Sequence, residues 1–323
     1  MKFRLLSILL LLNFQFLSLS SQTIQKDTSY TVYQTLIKLK KKYLEIKPIL
    51  AVADKNLIFY EQLVYKKMLG NNLERELHLD IFRPNNQIIY PALIMIHGGG
   101  WRSGDKSMEK PMAQQIALKG YVTIPVEYRL SLEAKYPAGV HDIKASIRWI
   151  KDNARKYGID ITKIAIEGES AGGQLAMLVA MTNNLAHFEG DKNGSKSSSV
   201  VQAAIDVDGV VDFLAPNSLN IQSNPNSADV FWLGGTFEEK PLLWKEASSI
   251  YWVSSKSVPT LFITSAMPRF HAGRDEMIDL FNQNGIYSES YSIPDSPHSF
   301  WLLEPWAEST KEYMLKFLKK VLN

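Results

Sequence analysis

The chain has 323 residues, 46% of them hydrophobic and 21% charged, with 14 Pro and 18 Gly, a balance that excludes a disordered or collagen-like chain. Its 36 Lys and Arg against 33 Asp and Glu leave +3, too even for a protein built mainly to hold nucleic acid. No cysteine is present, which excludes disulfides, thiolate nucleophiles, zinc sites made of Cys, iron–sulfur clusters and a lipid anchor on an N-terminal cysteine.

Residues 1–21 have the order of a secretory signal peptide: Lys2 and Arg4, an apolar stretch over 5–17, then the small residues Ser18, Ser20 and Ser21. The apolar core is too short and too interrupted for a membrane anchor. Cleavage is expected near Ser20 or Ser21, leaving a secreted or periplasmic protein with no stable membrane anchor. Residues 22–60 form an N-terminal extension with an amphipathic helix expected over 30–46. The run Lys38-Leu39-Lys40-Lys41-Lys42 reads as a solvated helix face rather than a patch for an anionic polymer.

The catalytic domain is expected over 61–323, as strands alternating with helices. Residues 62–67 and 76–82 alternate polar and apolar like half-buried strands, with Leu69-Gly70-Asn71-Asn72 as the turn. Residues 92–96 (ALIMI) are a short apolar run suited to a strand buried on both faces. A helix over 108–119 ends at Gly120, and 121–126 is the next strand. Ile143, Ile147, Ile150 and Ala154 recur at helical spacing within 140–157, with Gly158 as a stop. Further strands are expected at 163–167, 201–207, 260–264 and 288–293, and further helices at 172–186, 276–284 and 309–322. Residues 195–199 read as an exposed polar loop. This alternation predicts an α/β fold, a mostly parallel central sheet flanked by helices on both faces, with no repeat and no second core.

Three places carry chemistry. Gly168-Glu169-Ser170-Ala171-Gly172-Gly173 follows a strand and opens a helix, the context of a nucleophile elbow that exposes the Ser170 hydroxyl on a strained turn. His97-Gly98-Gly99-Gly100-Trp101 follows ALIMI. Its glycines let the backbone amides of Gly99 and Gly100, with that of Ala171, point at an oxyanion formed by acyl transfer at Ser170. A phosphate cradle would need a following Gly-Lys-Ser/Thr, which is absent. His97 itself is expected to brace the loop. Among the six histidines (His78, His97, His141, His187, His271 and His298), only His298 sits in a loop after a late strand, where a base acting on Ser170 belongs.

HGGGW, GESAGG and the late His298 resemble the α/β-hydrolase superfamily of serine esterases. Within it they resemble secreted bacterial carbohydrate esterases of plant-polysaccharide degradation and hormone-sensitive-lipase-like esterases. The resemblance runs from about residue 60 to the C-terminus. The stretches 268–275 (PRFHAGRD) and 294–298 (PDSPH) also resemble esterases of that degradative group. The resemblance implies an α/β-hydrolase fold, a Ser-His-Asp mechanism, and no cofactor or metal.

The triad acid departs from the pattern. These hydrolases usually carry it after the strand corresponding to TLFIT, where this chain reads Ser265-Ala266-Met267-Pro268. Two replacements are visible: Asp208, at the end of the preceding strand and preferred, and Asp275, which would need the intervening loop to curl back. Without an acid the imidazole tautomer is unfixed. Trp101 and Trp301 offer aromatic faces for a sugar ring or an aromatic acyl group, and Arg269, His271 and Arg274 are candidates for recognising a uronate carboxylate. The expected activity is removal of acetyl or a similar small acyl group from a plant-type polysaccharide. A prolyl-oligopeptidase-type exopeptidase and a non-catalytic binding protein on the same fold are the alternatives.

Overall fold

The computed structural model describes residues 27–70, 73–192, 194–219, 224 and 226–322. The expected signal peptide and the turn residues Asn71 and Asn72 lie outside the described residues. Helix α1 (Val32–Lys40) is shorter than the expected 30–46: Thr31 sets its start by accepting a hydrogen bond from the Gln34 amide at 3.1 Å, and it ends at Lys40, six residues before the expected stop. A two-residue strand β1 (Lys47–Pro48) follows. The long hairpin β2 (Leu57–Gly70) and β3 (Leu73–Pro84) begins inside the segment expected to precede the domain.

The alternating part then runs β4 (Tyr90–Ile96), α2 (Lys110–Ala117), β5 (Val122–Val126), α3 (Ala138–Asp152), α4 (Ala154–Tyr157), β6 (Ile159–Glu169), α5 (Ala171–Met181) and β7 (Ala203–Val207). Three short helices, α6 (Pro216–Leu219), α7 (Ala228–Leu233) and α8 (Pro241–Glu246), precede β8 (Thr260–Thr264). The chain closes with α9 (Arg274–Gln283), β9 (Ser288–Ser292), β10 (Leu303–Glu304) and α10 (Trp306–Leu322). Gly158 ends α4 with φ +64, as a helix stop requires. The loop 195–199 is only partly exposed: Ser199 is buried and donates to Glu189 at 2.6 Å.

Eight strands form one sheet in the order β2-β3-β5-β4-β6-β7-β8-β9. The pairs β2–β3 and β3–β5 are antiparallel and the other five are parallel. Side chains alternate between the faces, so Ala92, Ile94 and Ile96 join one core cluster while Leu93 and Met95 join the other. The first cluster packs under α3 and α5, where Val140, Ile143, Ile147 and Ile150 are fully buried. The second packs under α2 and α10. Every residue of α5 is buried, which suits a helix apolar all round and pressed between layers. Because β4 has β5 on one side and β6 on the other, chain direction diverges at its C-terminal end, the place where an open sheet leaves a crevice.

Candidate active site

Ser170 stands between β6 and α5 with φ 54 and ψ −118, a conformation rarely adopted by residues other than glycine, at a cost of roughly 1–3 kcal/mol. The surrounding structure holds it there. The Ser170 amide donates to the Val207 carbonyl at 2.8 Å, and the Ser170 carbonyl accepts from the Gln174 amide at 3.0 Å. The helix can start this close to the sheet only because residue 172 lacks a side chain. A Cβ on Gly172 would lie 1.9 Å from the Ile96 carbonyl oxygen.

The HGGGW loop leaves the end of the neighbouring strand β4. Gly99 has φ +119, and a Cβ there would meet the Ser103 carbonyl at 2.1 Å. His97 is buried, its Nδ1 2.8 Å from the Gly98 carbonyl and its ring stacked on Tyr128 at 4.6 Å. Burial lowers its pKa, which keeps the imidazole neutral. The loop brace read from the sequence is therefore what its contacts describe. Among the described residues, the amides of Gly99, Gly100 and Ala171 donate to no protein group. Three N–H groups beside one serine make a receptor for a developing oxyanion.

His298 comes to this crevice on the loop after β9. Its Nε2 lies 2.9 Å from Ser170 Oγ and its Nδ1 2.8 Å from Asp208 Oδ2. Asp208 is fully buried with φ +54, and its second oxygen accepts from the Ser265 amide at 2.7 Å. Ser265 begins the segment where the acid is usual in such hydrolases, so that backbone position now orients an acid supplied from β7. Asp275, the second choice, is corrected: its side chain is 74% exposed and pairs with Arg274. Asp206 turns away from His298 and accepts from the Gly209 amide at 2.9 Å. Burial and the neighbouring Asp208 hold its pKa well above the carboxylate range.

The residues expected to bind substrate are placed differently. Trp101 and Trp301 are 6% and 2% exposed, so neither offers an open face to a sugar ring. Trp101 donates its Nε1–H to Gln174 Oε1 at 3.0 Å and stacks on Trp232 at 4.7 Å, tying the glycine loop to α5. Trp301 meets the His298 ring edge-on at 5.0 Å. Arg269 donates to Asp229 at 3.1 Å, His271 Nε2 lies 2.8 Å from the Ser265 carbonyl, and Arg274 donates to Asp275 and Thr264. These contacts fasten the 268–275 loop against the sheet. Arg269 Nη1 is buried without a hydrogen-bond partner among the described residues.

Two contributors were missed. Phe270 lies face to face on His298, with ring centroids 3.6 Å apart and planes 5° apart. It sits inside a stretch that draws attention for its charges rather than its ring. Gln174 stands one helical turn after Ser170, a spacing that identifies it once α5 is known to begin at Ala171.

Beneath the elbow, oxygens of Glu109, Glu167 and Glu169 lie within 4.8 Å of one another, all buried. That spacing would admit a cation, and it equally suits carboxyls that keep their protons. Burial pushes Glu109 up to about 7 and holds Glu167 and Glu169 well above the ordinary range.

A family model described as BD-FAE matches residues 79–280. Esterase LipQ of Mycobacterium tuberculosis is 27% identical over 242 residues, covering 70% of this chain and 55% of that protein. Esterase LipC of the same organism is 28% identical over 246 residues, covering 70% and 57%. The chain thus spans about half the length of the curated relatives it matches. Among solved structures, a truncated carbohydrate esterase from gut microbiota superposes with a TM-score of 0.71 at 24% identity, covering 85% of this chain and 99% of that one. Esterase B from Lactobacillus rhamnosis gives 0.66 at 22% identity, covering 89% and 92%. At these identities the likeness establishes the α/β-hydrolase fold.

Proposed function

The chain belongs to the BD-FAE family, and from that premise we propose that it is a secreted serine esterase removing a small acyl group, acetyl or similar, from carbohydrate. The observation that carries the reading is the unbroken line Ser170 Oγ to His298 Nε2 at 2.9 Å and His298 Nδ1 to Asp208 at 2.8 Å. His298 takes the hydroxyl proton as Ser170 Oγ attacks the ester carbonyl carbon. Asp208 fixes the tautomer and stabilises the imidazolium. The amides of Gly99, Gly100 and Ala171 receive the oxyanion. The C–O bond then breaks, His298 returns the proton to the leaving alkoxide, and the acyl group stays on Ser170. A water, deprotonated by His298, attacks that acyl-enzyme and releases the acid.

The carbohydrate part of the reading is supported by the gut-microbial carbohydrate esterase whose fold this chain shares, and export by the order of residues 1–21. For a uronate carboxylate on the substrate, Arg269, about a quarter exposed and held by Asp229 at 3.1 Å, is the candidate receiver. The test begins with a fluorophosphonate probe, expected to label the wild type and not Ser170→Ala. A p-nitrophenyl ester chain-length series should then favour acetate, and acetylated polysaccharide should release acetate. Absence of labelling favours a binding protein on this fold, whereas cleavage of peptide p-nitroanilides but not esters favours an exopeptidase.

A further inference from the structure

The glycine loop and the His298 loop must hold a common geometry, yet they come from opposite ends of the domain. Among the described residues no hydrogen bond joins 97–104 directly to 298–303. Both are instead bonded to one short segment of the N-terminal extension. Ser103 Oγ donates to the Asp27 carbonyl at 2.8 Å and accepts from the Tyr30 amide at 3.0 Å, while Arg102 Nε donates to Asp27 Oδ2 at 2.8 Å. The Ser103 amide in turn donates to the Gly99 carbonyl at 3.0 Å. At the other side, Tyr30 Oη donates to Ser299 Oγ at 3.1 Å. Ser299, the residue after His298, is 4% exposed and sits at φ +73.

We infer that residues 27–30 are a strap fastening the oxyanion loop to the histidine loop, with Tyr30 as a positioning residue for His298. The inference rests on the proposed roles of Ser170 and His298. Its anchoring is continuous with the fold: Thr31 caps α1, β1 pairs with β10, and the Ile49 amide donates to the Leu302 carbonyl at 3.1 Å. Between the strap and the sheet lies a cavity of about 370 Å³, lined by Tyr30, Tyr33, His97, Met108 and Tyr128 among others. Tyr30 and Val32 pack against the core under α2 and α10, and the polar contacts of 27–30 fix the register of that packing. The Arg102 side chain is 40% exposed, which makes its ion pair the weaker fastening. The buried hydroxyls of Ser103 and Ser299 are the stronger ones.

The test uses the full chain carrying Tyr30→Phe, Ser299→Ala, or both. Each single variant should lower kcat on p-nitrophenyl acetate about fivefold, the worth of one hydrogen bond, with KM within about twofold. The double variant should be no slower than either single one. In Tyr30→Phe, hydrogen exchange should accelerate at amides in both 97–104 and 298–303, although the lost hydroxyl touches only the second. Unchanged kcat with a lowered melting temperature, additive losses in the double variant, or exchange raised at one loop alone would overturn the inference. If the wild type hydrolyses no ester and takes no fluorophosphonate label, the esterase reading fails, while the exchange result still decides whether the strap exists.

Discussion

Asp208 carries the clearest lesson at the scale of single residues. It leaves β7 at positive φ, buries both oxygens, and uses one on His298 and the other on the Ser265 amide. Asp208→Asn would leave the size unchanged and favour the wrong imidazole tautomer. A kcat loss of about 10³–10⁴-fold on p-nitrophenyl acetate is expected, with Asp275→Asn at wild-type rate because that side chain faces solvent. Phe270 acts on the same histidine from its ring face. Phe270→Leu keeps apolar bulk and loses the stack at 3.6 Å. A stacked pair is worth about 1 kcal/mol, so kcat should fall roughly fivefold, with most of it restored in Phe270→Tyr. Neither partner was open to inspection of the sequence in the same way. The candidate acids could be narrowed to two by chain order, whereas Phe270 reaches His298 only through the curl of a loop fastened by Arg269 and His271.

At the scale of elements, the strand–turn–helix from β6 to α5 is the feature whose sequence and geometry agree most closely. Gly168, Gly172 and Gly173 surround Ser170, and a Cβ at any of them would fall within 2.3 Å of a neighbouring atom. Gly172→Ala is therefore expected to cost at least about 2 kcal/mol, seen as a lower urea midpoint together with lost fluorophosphonate labelling. The offending neighbour is backbone, the Ile96 carbonyl, and cannot rotate away. Periodicity found α3 because Ile143, Ile147 and Ile150 share its buried face, although the fourth position, Ala154, falls in the separate helix α4, and it overran α1 by two residues before Val32 and six after Lys40. The short helices α6 to α8 escaped it because pieces of four to six residues show no period.

Across the whole molecule, one sheet with two covered faces places the glycine loop, Ser170 and Asp208 at the C-terminal ends of β4, β6 and β7 and His298 on the loop after β9, and it also buries charge. Glu109, Glu167 and Glu169 bring their carboxyl oxygens within 4.8 Å of one another beneath the elbow, with Asp206 adding to the negative field on Glu167. Their ordinary value is 4.5, and burial lifts Glu109 to about 7 and holds the other two well above that ordinary value. The native chain thus binds more protons than the unfolded chain above pH 4.5, so the cluster's contribution to stability is complete below that value and is lost as pH rises through about 7. Urea denaturation should give a lower midpoint at pH 8 than at pH 5.5, and Glu109→Gln should reduce the difference. An unchanged or rising midpoint would show that the cluster holds a cation or pays no such cost.

The fold class, the candidate nucleophile Ser170, the candidate base His298 and the glycine loop were legible in the chain, because each is written in neighbouring residues. Alternation follows from a sheet with two covered faces, a tight elbow needs small residues beside Ser170, and a run of glycines releases backbone amides. Tertiary structure alone decided which carboxylate meets His298, since that depends on where two loops 90 positions apart converge. It also decided that Trp101 and Trp301 are interior braces, because a tryptophan reads alike in a core and on a binding face until its neighbours are known. Finally, it brought the N-terminal extension into hydrogen-bonding contact with both loops. Hydrogen bonds from Asp27 and Tyr30 reach residues more than seventy and more than two hundred positions away, and such contacts leave no local pattern in the chain.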